Sequence, residues 1–166
     1  MRVLAGIDLR VDGSGWLVSH AARFARAVGG RLDLLFALPS GASEADESMR
    51  RDQLQALLAT IPEECRGSPI LARGNAIEAL VEATESCDVL VVGPRAPSTL
   101  SRLLLGTIAA RVIRRARCPV YVPRTSEPLP DAQVRTLVGV DLAREAPYAV
   151  FESALPWVER MGARLD

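Results

Sequence analysis

The chain has 166 residues, of which 49% are hydrophobic and 4% aromatic, so a core can be built mainly from Leu, Val, Ala and Ile. This length suits one α/β domain with a further segment left over. Twenty basic and twenty acidic residues cancel, which removes any bulk electrostatic reason to expect nucleic acid or an anionic membrane as a partner. All the basic residues are Arg, which excludes Schiff-base lysine chemistry and the P-loop.

The cysteine and histidine content argues against metal sites and disulfide scaffolds. Cys65, Cys87 and Cys118 are odd in number and widely spaced, and His20 is the only histidine. We expect Cys87 and Cys118, which border predicted strands, to be small core residues. Asp8 comes too early for the apolar segment of a signal peptide. These features predict a cytoplasmic protein with reduced thiols.

The first 124 residues alternate apolar runs with helical patterns. Strands are predicted at 3–7, 32–38, 68–72, 88–92 and 119–122, and helices at 17–28, from about 42 to 60, at 74–86 and at 107–117. Strict alternation predicts an α/β fold, a doubly wound five-stranded parallel sheet of strand order 3-2-1-4-5 with helices on both faces. The last strand, from Pro119 to Val122, is short and begins with proline, which suits a sheet edge.

The C-terminal segment repeats the beginning of the chain. Residues 125–134 are a proline-rich linker, and residues 136–166 align without gaps on residues 3–33, with nine identities in thirty-one pairs. We therefore expect residues 135–166 to be a β-α unit that starts a second, incomplete repeat. Either the chain is the front part of a tandem two-domain protein, which we favour, or this unit docks on the first sheet or on a partner.

Two candidate ligand residues follow neighbouring strands of the predicted sheet. Asp8 ends the first strand and Gly93 ends the fourth, and these strands meet at the topological switch point, where doubly wound proteins bind ligands. Asp8 would contact a ribose hydroxyl or an adenine edge there, while the loop after Gly93 would face phosphates. The alternative is that Asp8 only caps a turn.

The loop after the fourth strand has a specific spacing. Gly93, Ala96 and Gly106-Thr107 follow the pattern G-x-x-G-x9-G-[S/T] except at Ala96, and Cys118-Pro-Val-Tyr-Val comes after them. Together with the strand that ends in Asp8, this stretch resembles the universal stress protein family, and the resemblance covers essentially the whole chain.

The resemblance implies a frequently dimeric α/β protein that in many members holds ATP, with or without Mg²⁺, and has no obvious catalytic apparatus. Carried over by position, the adenosine pocket would be lined by Asp8 and Ala37 with Val92 beside them. The phosphates would be surrounded by Gly93, Ala96, Gly106 and Thr107, with Arg95 as a further donor.

The phosphate loop departs from the family pattern at three positions. Pro94 and Pro97 each lack a backbone donor, and Pro97 pushes Ala96 toward extended backbone. If the loop needs a positive φ at position 96, alanine there costs about 1–2 kcal/mol relative to glycine.

Two functions follow from these features. The first is a stress-response ATP-binding regulatory module that is not an enzyme, or only a weakly hydrolytic one. The second is a scaffold of the same fold that leaves the cleft empty and acts by dimerisation. We expect a homodimer or pseudo-dimer formed through the edge strand Pro119 to Val122 or the C-terminal β-α unit. The arginines at 111, 114, 115 and 117 are interpreted as a solvated helix face, and not as a nucleic-acid site.

Overall fold

One parallel sheet with helices on both faces organises the chain. The computed structural model describes residues 1–10, 14–94, 106–123, 135–136, 149–160 and 164–165. The strands are β1 (Arg2–Gly6), β2 (Arg31–Leu38), β3 (Arg66–Arg73), β4 (Val89–Val92), β5 (Val120–Tyr121), β6 (Arg135–Thr136) and β7 (Arg164–Leu165). The helices are α1 (Ser14–Ala27), α2 (Glu44–Ala59), α3 (Ala76–Ala83), α4 (Thr107–Ile113) and α5 (Ala149–Arg160).

The main sheet has five parallel strands in the order β3-β2-β1-β4-β5, which confirms the predicted fold and strand order. β1 lies at the centre, and Val3, Leu4 and Ala5 are almost fully buried. Such a strand must be apolar on both sides, because helices cover both faces of the sheet. The uninterrupted apolar runs in the sequence therefore indicated the central strands correctly.

Two hydrophobic clusters fill the two sides of this sheet. Successive side chains of a strand point to opposite faces, so Val3 and Ala5 join a cluster with α1 and α2, whereas Leu4 joins a cluster with α3 and α4. Leu34 and Leu35 divide in the same way. The sheet is thus held in register by burial on both faces.

Local signals in the sequence set the helix ends. Ser43 caps α2: its hydroxyl accepts the Asp46 N–H at 3.1 Å, and the Asp46 carboxylate accepts the Ser43 N–H at 3.0 Å. Gly29 ends α1 at φ +63°, and Gly30 N–H donates to Ala25 at 2.7 Å, as predicted from the glycine pair. α3 and α4 are each shorter at their C-terminal end than predicted.

A buried carboxylate ties three strands together at their amino ends. Asp33, which is 7% exposed, accepts a hydrogen bond from Arg2 Nε at 2.6 Å and another from the Ser68 N–H at 2.8 Å. The β2–β3 register shifts beside it, between Leu32 and Leu34. Gly67 passes so close that a Cβ there would overlap both the Asp33 carboxylate and the Leu32 carbonyl. Position 67 therefore requires glycine, because there is no space for a Cβ atom.

The C-terminal segment reproduces the start of the fold. β6 pairs in parallel with β7, and Arg135 lies opposite Arg164 just as Arg2 lies opposite Arg31. These pairs differ by the same offset that aligns the two sequences. The described residues of this segment thus contain the predicted β-α unit, and the two residues of β7 follow it and pair with β6. The linker 125–134 lies outside the described residues.

Aromatic rings connect α5 to the first module. The ring of Phe24 in α1 stacks on Tyr121 of β5 at 5.0 Å and on Trp157 of α5 at 6.0 Å between ring centroids. Trp157 also packs against the cluster of α1 and α2. The repeat thus contacts the first module beside its edge strand.

Three further observations concern the helices. Trp16 and His20 of α1 pack edge to face, with ring centroids 5.9 Å apart. The arginines of the predicted solvated helix face are exposed, and Arg115 pairs with Glu78 at 2.7 Å. Among the helices of the described ranges, none has the length and apolar character needed to cross a bilayer.

We expect Gly67→Ala to lower the free energy of unfolding by about 1–3 kcal/mol, because the added methyl group must displace backbone and a paired carboxylate. Chemical denaturation measures this loss. Gly41→Ala is the control, since a Cβ there meets nothing within 4 Å. Equal stability of the two variants would contradict the close approach at Gly67.

We expect Trp157→Ala to destabilise the first module, by about 1–3 kcal/mol, because it removes a half-buried ring that stacks on Phe24. Trp157→Phe retains a stacking ring and should recover most of the loss. Thermal unfolding followed by circular dichroism measures both variants. An unchanged melting temperature in Trp157→Ala would show that α5 contributes nothing to the first module.

Candidate functional site

The candidate site lies at the carboxyl ends of β1, β2 and β4. Gly6, the last residue of β1, is level with Leu35 of β2 and with Val92, the last residue of β4. Asp8 and Ala37 each come two residues after a member of this row. The register therefore brings both of these predicted residues to one edge of the sheet, at the switch point between β1 and β4.

Asp8 is bound by a nearby arginine. Its two carboxylate oxygens accept Arg10 Nε at 2.8 Å and Arg10 Nη2 at 3.1 Å, and the Arg10 N–H donates to the first of them at 3.1 Å. These hydrogen bonds from Arg10 hold the pKa of Asp8 below its usual value, and the charge of Arg50 acts in the same direction. Asp8 is thus an ionised acceptor with both oxygens engaged, and its main-chain carbonyl accepts the Ser14 hydroxyl at 2.8 Å.

Two cations near Asp8 were not predicted as site residues. Arg10 was visible in the sequence only as a neighbour two positions after Asp8. Arg50 comes from α2, and its Nη1 donates to the Leu9 carbonyl at 3.3 Å while its guanidinium lies 5.6 Å from the centre of the Phe36 ring. No local pattern could have identified Arg50, because tertiary packing alone brings α2 to the loop after β1.

At the end of β4, main-chain atoms face the candidate site more than side chains do. Val92 is 3% exposed and packs in the cluster of α3 and α4, so only its backbone faces the site. Ala37 is half-buried against the same cluster. Gly93 follows Val92, and a Cβ there would come within 3.3 Å of Leu17 of α1. A methyl group at position 93 would therefore fit only if the end of the Leu17 side chain moved by a few tenths of an ångström.

Gly106 and Thr107 form the start of α4. Gly106 is buried at the N-cap with φ −60° and ψ 152°, and its carbonyl accepts the Ala110 N–H at 2.9 Å. Any residue can adopt these backbone angles, so a positive φ is not the reason for glycine at position 106. The small size of glycine suits this buried position. Thr107 is exposed, which leaves its hydroxyl accessible. Arg95 and Ala96 lie outside the described residues.

These groups suit binding more than bond breaking. An ionised acceptor, two cations and a glycine-lined strand end can hold a ligand that carries both hydroxyl groups and negative charge. Asp8 is a weak base, because the hydrogen bonds that lower its pKa also stabilise its charge. Within the described ranges, no three His, Cys, Asp or Glu residues are grouped so that they could hold a metal ion.

Known proteins with this fold share the same sheet. The model of the universal stress protein family matches residues 1–124. Universal stress protein Rv2005c of Mycobacterium tuberculosis is 34% identical over 67 residues, which are 39% of this chain and 23% of that protein. The match thus spans less than a quarter of the length of that curated relative.

Two solved structures extend the comparison. A universal stress protein in complex with cAMP is 29% identical, with a TM-score of 0.53, and the alignment covers 75% of this chain and 98% of that one. A universal stress protein from Archaeoglobus fulgidus DSM 4304 is 18% identical with a TM-score of 0.71, over 98% of this chain and 64% of that longer chain, which shows a shared fold.

The family model covers about three quarters of the chain, and the five-stranded fold matches solved universal stress proteins. This chain belongs to the universal stress protein family.

Proposed function

We propose that the chain is a stress-response regulatory module that binds an adenine nucleotide, ATP with or without Mg²⁺, at the carboxyl edge of its sheet. The observation that carries this proposal is the ionised Asp8 at the switch point, which Arg10 binds and whose charge the nearby Arg50 also stabilises. This arrangement combines an acceptor for hydroxyl groups with positive charge for phosphates.

The adenosine end of the ligand belongs beside Asp8 and Ala37. A ribose hydroxyl or the adenine amino group donates a hydrogen bond to Oδ2 of Asp8, which keeps a second lone pair beside its bond from Arg10, whereas Oδ1 already accepts two bonds from Arg10. Ala37 is small and half-buried, which suits the flat face of a base. The backbone of Val92 completes this wall, since its side chain is turned into the core.

The phosphate end belongs at Gly93, Gly106 and Thr107. Gly93 permits a close approach of the ligand to main chain, and Thr107 offers an exposed hydroxyl at the start of α4. We include Arg95 and Ala96 in the same group on the spacing of the sequence alone. The structure of a related universal stress protein with cAMP, at 29% identity, supports an adenine nucleotide as the ligand.

We propose a binding role without catalysis. Phosphoryl transfer to water needs a group that positions or deprotonates the water beside the terminal phosphate. Asp8 serves this poorly, because its pKa is lowered by hydrogen bonds from Arg10. Occupancy of the site, and not turnover, is then the signal.

The second candidate function is a scaffold that acts by dimerisation with an empty cleft. It is favoured by the open edge of β5, which is the last strand of the five-stranded sheet. We propose a homodimer or pseudo-dimer through the segment Pro119 to Val122 or through the C-terminal repeat.

We also propose that residues 135–166 begin a second module in a tandem protein. Phe24 and Trp157 occupy equivalent positions of the two repeats, and their rings stack on each other. In a two-fold symmetric interface, equivalent residues of the two subunits can contact each other. Here the two related units would be two parts of one chain. The β6–β7 register, which copies that of β1 and β2, supports the same proposal.

We expect ATP to raise the melting temperature and to give a saturable signal in isothermal titration calorimetry, because a ligand at a hundred times its dissociation constant adds about 2.7 kcal/mol of stability. Asp8→Asn should weaken binding about tenfold or more, since a charged acceptor is lost. Asp52→Asn on the exposed face of α2 removes the same charge elsewhere and should bind like the parent chain. If millimolar Mg-ATP changes neither the melting temperature nor the calorimetric signal, nucleotide binding is ruled out and the scaffold function is favoured.

We expect Ala96→Gly to tighten ATP binding about tenfold, because glycine permits a positive φ beside the phosphates at little cost. Calorimetry on the variant and the parent chain measures the change. Ala42→Gly is the control for added backbone freedom, since Ala42 lies outside the G-x-x-G-x9-G-[S/T] stretch and packs against the cluster of α1 and α2. Equal affinities at position 96 would refute this account of the phosphate loop.

A further inference from the structure

Two cysteines from distant positions in the sequence lie side by side in the fold. Cys87 precedes β4 and Cys118 precedes β5, and these strands are neighbours in the sheet. Their Sγ atoms are 3.6 Å apart, and both side chains are free thiols with partial exposure. They lie at the amino ends of the strands, opposite the candidate nucleotide site.

The backbone on both sides of Cys87 is fixed by Arg2 of β1. The guanidinium of Arg2 donates to the Ser86 carbonyl at 3.1 Å, and its main-chain N–H donates to the Asp88 carboxylate at 2.6 Å. The Asp88 N–H returns a hydrogen bond to the Arg2 carbonyl at 2.9 Å. Cys87 is therefore held at both neighbours, which limits how far its sulfur can move away.

The backbone around Cys118 is fixed as well. The Arg117 N–H donates to the Thr84 hydroxyl at 3.0 Å, and the Pro119 carbonyl accepts the Leu90 N–H at 3.0 Å. These bonds join the segment before β5 to the end of α3 and to β4. The two sulfur atoms are thus neighbours because both flanking segments are anchored.

The third cysteine, Cys65, differs from this pair in both exposure and surroundings. It is 1% exposed, and its thiol contacts the main-chain carbonyl of Pro62 at 3.5 Å. Burial raises its pKa. It has no sulfur partner among the described residues, and its inaccessible thiol is inert by the usual criteria.

We propose that Cys87 and Cys118 form a redox modification site, which closes reversibly into an intramolecular disulfide when the chain meets a peroxide. A disulfide has an S–S length of about 2.05 Å, so closure requires the two sulfur atoms to approach by about 1.5 Å from their present separation. This is a small side-chain displacement for two partly exposed thiols.

The reaction balances in two steps. The Cys118 thiolate attacks one oxygen of hydrogen peroxide, the O–O bond breaks, and a sulfenic acid forms while the other oxygen leaves as water after taking a proton. The Cys87 sulfur then attacks the sulfenic sulfur, the S–O bond breaks, and the departing hydroxide takes the Cys87 proton to form a second water. Two electrons pass from the two thiols to the peroxide. A small dithiol reverses the change by thiol–disulfide exchange.

In this reaction scheme Cys118 is the thiol that reacts first and Cys87 is the thiol that resolves the sulfenic acid. Contact with the Cys87 thiol lowers the pKa of Cys118, and the same contact and burial raise the pKa of Cys87. The proposed disulfide rests on the 3.6 Å separation of the two sulfur atoms and is the same whichever thiol reacts first.

The disulfide would enclose a defined part of the fold. The chain between the two cysteines contains β4, residues 93–107 and α4. Closing a loop of this size restricts the unfolded chain, which stabilises the folded one. The modification does not depend on nucleotide binding.

The full chain is treated with hydrogen peroxide, blocked with a thiol-alkylating reagent, digested without reduction and analysed by mass spectrometry. We expect one peptide pair joined through Cys87 and Cys118 and lighter by two hydrogen atoms than its reduced parts, with Cys65 alkylated or inaccessible. Oxidation should form no disulfide between two chains, and the melting temperature of the oxidised chain should rise by roughly 5 °C or more. Dithiothreitol should reverse both effects.

Cys65→Ala is the matched control and should form the same linked pair. Cys87→Ser should leave Cys118 as a sulfenic acid that dimedone traps, whereas Cys118→Ser should give no trapped product at Cys87. The proposal is overturned if Cys87 and Cys118 stay unlinked in the parent chain, if they link only between two chains, or if Cys65 takes part. The parent-chain peptide map decides the matter even if a variant fails to fold.

Discussion

The pairing of β1 with β2 on one side and with β4 on the other is the constraint on which the rest of the structure depends. It makes β1 the centre of the sheet and buries both faces of Val3, Leu4 and Ala5. Because the three strands run parallel in a fixed register, their carboxyl ends meet at one edge and their amino ends at the other. The loop that holds Asp8 and the end of β4 at Gly93 are adjacent for this reason alone.

The same register gives the two edges different chemistry. At the carboxyl edge, Arg10 binds an ionised Asp8 and Arg50 binds the carbonyl of the next residue, Leu9, which suits a ligand with hydroxyl and phosphate groups. At the amino edge, Asp33 and Arg2 anchor the strands, and the sulfur atoms of two cysteines come within 3.6 Å. One sheet thus carries the proposed ligand-binding site at one end and the proposed redox site at the other. The buried strands of the sheet separate the two.

The sequence predicted the five-stranded fold well and brought Asp8 and Ala37 to one edge of the sheet, while their binding role stays a prediction. Apolar runs and glycine or serine boundaries, such as Gly29 and Ser43, reflect local preferences that tertiary contacts did not override. It did not predict β7, because two residues are too short to produce a strand pattern. The sequence predicted Val92 as a site residue but did not show that its side chain faces the core. A strand that is buried on both faces is apolar at every position, so its sequence has no polar–apolar alternation from which the direction of a side chain could be inferred.

By itself, the sequence determined the α/β class, the strand order, the family resemblance and the repeat, since each depends on the type and spacing of residues along the chain. Only the tertiary structure decided that Arg50 reaches the loop of Asp8 and that Cys87 lies against Cys118. The physical reason is distance along the chain. Contacts between residues thirty or more positions apart are set by how strands and helices pack, and nothing in the local pattern of either partner records them.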